Sequence, residues 1–243
     1  MAKMNKPMVI VEKECIIPSS IHDWAQSHSV PVLSCHDSST LLYDYVIEYS
    51  DEITIDYLNM TYCHAHNLPA TIATTDRLII REIGTDNLDI YQRLIEENPA
   101  VISDKSLLGL SAEGFKERHL AYMKYSYQFL GYGIWGIFLS DKANDTKSNS
   151  AKFIGNNSPN GIMIGIAGLD GTDNISLSYA LLEEYWGQGY AYEAIYEIIN
   201  YAINELEISQ IKLDIPKDNL PSIKLAKKIR NIYPEILQIN IPG

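Results

Sequence analysis

The chain has 243 residues, 46% hydrophobic and 21% charged, the composition of a folded globular protein with one large domain or two small ones. A net charge of −12 argues against nucleic acid and anionic membranes as partners and favours amine-bearing or cationic ones. No run approaches the roughly 20 apolar residues that span a bilayer, and the apolar stretch near the N-terminus is short and broken by charge. The three cysteines (Cys15, Cys35 and Cys63) form no CxxC pair, so the expectation is a cytoplasmic protein without a disulfide framework.

Residues 1–70 read as a small α/β unit of βαβ type. Strands are expected at 8–11, 30–35 and 44–50. Ser20 is a helix-start candidate with Asp23 three residues on, and Thr54 is the expected cap of a helix over 55–67. Alternation of strands and helices favours a parallel sheet. Leu68-Pro69 ends the helix, and 68–75 reads as a linker.

A second unit, taken as 71–243, begins its pattern near Thr75. Strands are expected at 77–82, 132–140 and 162–171, with helical spacing over 86–98 and 111–130. The polar stretch 141–160 reads as a mobile loop. Ile175, Leu177, Tyr179 and Leu181 alternate on one face of a strand. From Ala191 to Leu206 the apolar period changes to that of an amphipathic helix. A strand at 209–216, a helix at 220–232 and a strand at 235–241 complete the chain.

Gly187 and Gly189 sit where a strand hands over to a helix. Two readings are open: a tight turn, or a loop whose backbone amides hold an anion at a helix N-terminus. The pattern is neither a dinucleotide fingerprint nor a Walker loop, since no GxGxxG and no GKS or GKT occurs. A basic cluster follows in an otherwise acidic chain: Lys217, Lys224, Lys227, Lys228 and Arg230. It is either a solvated helix face or a contact for an anionic ligand.

The segment Tyr185-Trp186-Gly187-Gln188-Gly189-Tyr190-Ala191-Tyr192-Glu193-Ala194 resembles a motif of the GNAT superfamily of N-acetyltransferases, in the branch that includes ribosomal-protein N-terminal acetyltransferases. Asp218-Asn219 with Ser222, Ala226 and Lys228, and the opening Thr75–Glu82, resemble further family segments, so the likeness covers about 75–235. It implies a mixed central sheet flanked by helices and use of acetyl-CoA as cosubstrate. By that resemblance the backbone at Tyr179, Ala180 and Leu181 pairs with the pantetheine arm. Trp186, Gly187, Gln188, Gly189, Tyr190 and Ala191 cradle the pyrophosphate, and Asn219 binds the pantetheine region. The acceptor is expected to be a small-molecule or peptide amine.

Direct transfer to an amine needs a base for the amine and a proton for the departing thiolate. Many relatives carry a Glu five residues before the Asn; here that place is Asp214, with Glu183 and Glu184 as rivals. Many relatives carry a Tyr seven residues after the Asn; here that place is Ala226, and Ser222 is the substitute candidate. The vacant Tyr position also fits a second reading, a catalytically degenerate acyl-CoA-binding module. Cys63, His64 and His66 point in different directions on a helix, so no metal site is expected. The role of residues 1–70 stays open among stiffening the enzyme, recognising the acceptor and forming a homodimer.

Overall fold

The computed structural model describes residues 8–11, 19–34, 45–46, 54–140 and 161–242. The chain divides into two compact units, Met1–Ala70 and Thr71–Gly243.

In the first unit, β1 (Val9–Val11), β2 (Val32–Ser34) and β3 (Tyr45–Val46) form a parallel sheet in that order. Helix α1 (Ser19–Ser27) joins β1 to β2. It already includes Ser19 and Ser20, so Ser20 lies inside the helix and is not its cap. Val30, Val32 and Ala25 are buried together, packed by Val9. Helix α2 (Ile55–Ala65) starts at Thr54, whose hydroxyl accepts from the Tyr57 amide at 3.0 Å. Cys15, Cys35 and His36 lie outside the described residues. Among the described residues, no cluster of three or more His, Cys, Asp or Glu is arranged to hold a metal.

The second unit is built on a seven-stranded sheet in the order β10-β9-β8-β7-β6-β5-β4. The strands are β4 (Thr71–Thr74), β5 (Leu78–Arg81), β6 (Ile134–Leu139), β7 (Met163–Asp170), β8 (Ser176–Leu181), β9 (Ile211–Asp214) and β10 (Leu237–Asn240). β4 to β8 are antiparallel neighbours; β8, β9 and β10 are parallel. Residues 71–74 are therefore an edge strand and not a linker. Short polar Thr residues mask its pairing with β5, which follows after a turn closed by Thr75. The 141–160 stretch lies outside the described residues.

Helices cover both faces. α3 (Leu88–Glu97) and α4 (Ala112–Tyr122) lie on one, with Tyr91, Leu94, Ile95 and Phe115 packed against Ile134, Phe138, Ile166 and Ala180. α4 runs on as a π-helical stretch, Met123–Leu130, ended by Gly131 at φ 77°. The other face carries α5 (Tyr190–Asn204) and α6 (Leu220–Arg230), whose Ile195, Ile198, Ile199 and Ile229 meet Trp135, Ile137, Leu177, Ile211 and Leu213. This two-sided cover explains why β6 is buried at all six positions and reads as a continuous apolar run. At β9, by contrast, Ile211 and Leu213 are buried while Lys212 and Asp214 are exposed. Among the described residues no helix is long and apolar enough to cross a membrane.

Candidate active site

β8 and β9 are parallel, yet they share one registered pair, Ser176↔Lys212, held by Lys212 N donating to Ile175 O at 2.8 Å. Beyond it they part toward their C-terminal ends. Backbone parity shows which groups face the parting. Leu182 N donates to Ile164 O of the β7 side at 2.9 Å, while Ile175 O faces β9. With a period of two, Ala180 is turned to β7, and Tyr179 and Leu181 are turned to the parting. Ala180 is thus a correction to the sequence reading: it is registered with Ile166 of β7, and its carbonyl lies against β7, 2.5 Å from where a Cβ on Gly165 would stand. The Leu181 carbonyl is already engaged, accepting from Trp186 Nε1 at 2.8 Å.

The parting opens toward the loop that precedes α5. A 3₁₀ turn, Glu183–Tyr185, leads out of β8. Gly187 at φ +70° and Gly189 at φ +84° then hold left-handed backbone that side chains disfavour. A Cβ at Gly187 would meet nothing within 4 Å, and one at Gly189 would meet the Arg77 side chain at 3.5 Å. The loop therefore presents bare backbone to open space. Gly189 is the N-cap of α5 and supplies no side-chain cap. The first bond of the helix runs from Glu193 N to Gly189 O at 3.1 Å, so the helix does not use the amides of Ala191 and Tyr192. Amides with a helix dipole behind them and no capping side chain are suited to a bound anion. A diphosphate fits this cradle.

The loop is tied from behind. Arg77, just before β5, donates from Nε to Glu193 at 2.7 Å and from Nη1 to the Gln188 carbonyl at 3.0 Å. Its guanidinium lies 4.7 Å from the Tyr190 ring centroid, and Nη2 also pairs with Glu193. Thr75 donates from Oγ1 to the same carboxylate. Sequence reading missed this latch, because its partners are 116 residues apart and no spacing rule connects them.

The basic residues before and along α6 are exposed, and Lys228 places Nζ 3.7 Å from the Tyr192 ring centroid, beside the first turn of α5. Asn219 caps α6, its Oδ1 accepting from Ser222 N at 3.2 Å. Ala226 is fully buried in the core under β9, which explains why no side chain reaches out from that position. Asp214 ends β9 on the exposed face, accepting from Asn240 Nδ2 at 2.6 Å. Glu183 and Glu184 are both exposed in the 3₁₀ turn, and Glu184 O accepts from Gln188 Nε2 at 2.9 Å.

Tyr179 offers a side chain to the site as well as backbone. Leu177, Tyr179 and Leu181 share the face covered by α5 and α6. The Tyr179 hydroxyl is buried and makes no hydrogen bond of good geometry. Burial raises its pKa, and the neighbouring Ser222 side chain offsets part of that rise. Through the parallel register, Asp214 falls on the opposite face of the sheet from Tyr179.

Residues 77–230, more than half of the chain, match the acetyltransferase (GNAT) domain. The chain belongs to the GNAT acetyltransferase family. A stretch of 53 residues is 34% identical to an uncharacterized N-acetyltransferase, p20, of Bacillus licheniformis, covering 22% of this chain and 30% of that protein. Among solved structures, an acetyltransferase of Agrobacterium tumefaciens is 20% identical over 65% of this chain and 81% of its own, with a TM-score of 0.47. An acetyl transferase of Salmonella typhimurium, described as modifying the N-terminal serine of ribosomal protein L7/L12, is 15% identical over 65% and 82%, with a TM-score of 0.45. The GNAT domain accounts for the mixed sheet flanked by helices.

Proposed function

We propose that this GNAT protein transfers an acetyl group from acetyl-CoA to a primary amine, either a protein N-terminus or a small-molecule amine. One observation carries the reading. The parting of β8 from β9 opens onto an uncapped helix start whose two glycines leave the backbone bare. That pairing of slot and anion cradle suits a long thin ligand with a diphosphate at one end. Acetyl-CoA supplies a thioester, which an amine attacks without a further cofactor.

Each residue then has a task. The loop from Trp186 to Ala191 holds the diphosphate, and Lys228 with its neighbours on α6 meets the ribose phosphate. Tyr179 and Leu181 offer backbone groups to the pantetheine amides. Asn219, engaged as a cap through Oδ1, keeps its Nδ2 for the same arm. Asp214 takes a proton from the amine, directly or through water, with Glu183 the next candidate. The net charge of −12 favours approach of a cationic amine. Family membership favours transfer over a module that only binds acyl-CoA.

The test is coenzyme A release over a panel of small amines and peptide N-termini, with acetyl-CoA binding measured by calorimetry on the wild type and Gly189→Val. Losing even two charge-assisted hydrogen bonds at about 1.5–3 kcal/mol each weakens binding by two or more decades. Unchanged affinity in a folded Gly189→Val protein overturns the assignment of the loop.

A further inference from the structure

We propose that the Tyr179 hydroxyl is the acid that protonates coenzyme A as it leaves. The inference rests on the acetyl-CoA reading above and adds the group that completes the transfer.

Three observations meet at this side chain. Tyr179 stands on β8 where that strand has already left β9, and its backbone faces the parting. An extended arm paired along this edge therefore passes the residue itself. Its hydroxyl is shut off from solvent and touches the Ser222 side chain, in a geometry too poor to satisfy it. Leaving a buried hydroxyl unsatisfied costs about 1–3 kcal/mol, so such groups are rare and call for a reason. A ligand atom that accepts from it when bound is such a reason. Finally, the position seven residues beyond Asn219 is Ala226, fully buried in the core, and cannot supply a proton.

The chemistry balances. The neutral amine forms a C–N bond to the thioester carbon, the C–S bond breaks, and the electron pair leaves on sulfur. Tyr179 gives its proton to that sulfur, so coenzyme A departs as the thiol. The amine nitrogen gives up one proton to the base, and Tyr179 recovers one from solvent. Ser222 neighbours the hydroxyl and is itself partly exposed, which provides the return route. A phenol near 10 is also a far better acid than the Ser222 alcohol and lies close to an alkanethiol, about 8.5. Burial raises the phenol further, which keeps it protonated at neutral pH. It opposes a bare thiolate for the same reason, so donor and acceptor remain matched.

The proposal separates from a structural role because Tyr179→Phe removes only the hydroxyl. The native contact it gives up is the poorly aligned one with the Ser222 side chain, so the melting temperature should fall by no more than about a degree or two. The first measurement needs no acceptor. Coenzyme A is bound to wild type and to Tyr179→Phe, and its thiol is titrated by thiolate absorbance against the desulfo-coenzyme A complex. A hydroxyl that donates to sulfur stabilises the thiolate, so the bound thiol should titrate at least about one pH unit higher in the variant. The second measurement is turnover of acetyl-CoA with hydroxylamine, which is already neutral at pH 7 and so needs no deprotonation before it attacks. Here kcat should drop by about 10²-fold or more while KM for acetyl-CoA stays within about threefold. Equal thiol titration in the two proteins, with coenzyme A bound to both, overturns the inference and leaves the acetyl-CoA reading standing. Failure of the wild type to bind coenzyme A overturns both.

Discussion

The guanidinium of Arg77 binds the carboxylate of Glu193, joining the chain just ahead of β5 to the first turn of α5. The same guanidinium holds the Gln188 carbonyl between the two glycines at 3.0 Å. A glycine loop gains conformational freedom that must be restrained before it can bind tightly. This latch supplies the restraint. Arg77→Ala removes an ion pair, a carbonyl contact and the cover over Tyr190 together. The pair is partly exposed, 43% on the Arg side and 19% on the Glu side, so the cost should be moderate, about 1–3 kcal/mol. A melting temperature lower by several degrees and acetyl-CoA affinity lower by about tenfold are expected. An unchanged affinity would show that the loop needs no latch.

Gly187 and Gly109 make a matched pair for isolating the ligand's contribution. Their φ angles are +70° and +71°, and a Cβ at either would meet nothing within 4 Å. Replacing either by Ala therefore imposes the same backbone strain, about 1–2 kcal/mol. Only Gly187 lies in the loop before α5. Gly187→Ala should weaken acetyl-CoA binding in calorimetry, and Gly109→Ala should leave it alone, while both lose similar stability in urea. Equal affinities would mean that the diphosphate does not lie on Gly187.

Much of this fold was legible because its periods are strong. The alternation of Leu177, Tyr179 and Leu181 gave β8 its face, and the run from Ala191 to Ala202 gave α5 its stripe. Residues 71–74 were not legible, since a short Thr-rich edge strand has neither alternation nor a buried face to announce it. The π-helical continuation of α4 is helical in pattern and differs only in its bonding. At the site, the glycine loop was readable from local residue types. The Arg77–Glu193 latch and the buried Tyr179 hydroxyl were not, because each depends on which distant segments the sheet brings together. The Ala180 assignment failed for a finer reason: in a strand every second residue turns its backbone the other way, and the phase was set by a bond from Leu182.

Ala226 bears on why a phenol is not found on α6. Its side chain is fully buried beside Ile229 and the β9 core. Ala226→Tyr should overpack this region and cost about 1–3 kcal/mol. Chemical denaturation checks the loss. A stable variant with raised turnover would mean that the helix can turn this position toward the site.

Asp214 is exposed and accepts a hydrogen bond from Asn240. Asp214→Asn keeps size and removes the base. With an acceptor in hand, kcat should fall by about 10²-fold at pH 7 and the defect should shrink at higher pH, where more amine is already neutral. Normal turnover at pH 7 would pass the role to Glu183 or Glu184.

His119 should make the fold acid-sensitive. It is buried on α4 between Tyr91 and Tyr122, and its Nε2 lies 2.7 Å from the Ile83 carbonyl. The neutral ring donates its Nε2–H there. Burial lowers its pKa below 6.5, and the bond to Ile83 offsets only part of that. Below about 6.5 the unfolded chain therefore holds a proton that the folded one does not. With more protons bound in the unfolded state, stability rises with pH through that window. It is complete above the unfolded value and is lost as pH falls below it, at up to about 1.4 kcal/mol per pH unit. Urea denaturation at pH 7.5, 6.5 and 5.5 reads this slope, and His119→Gln, which keeps a donor but cannot titrate, should flatten it by one proton's worth. Identical slopes in the two proteins would mean that His119 takes up its proton equally in both states, and that the carboxylates of this acidic chain set its response to acid.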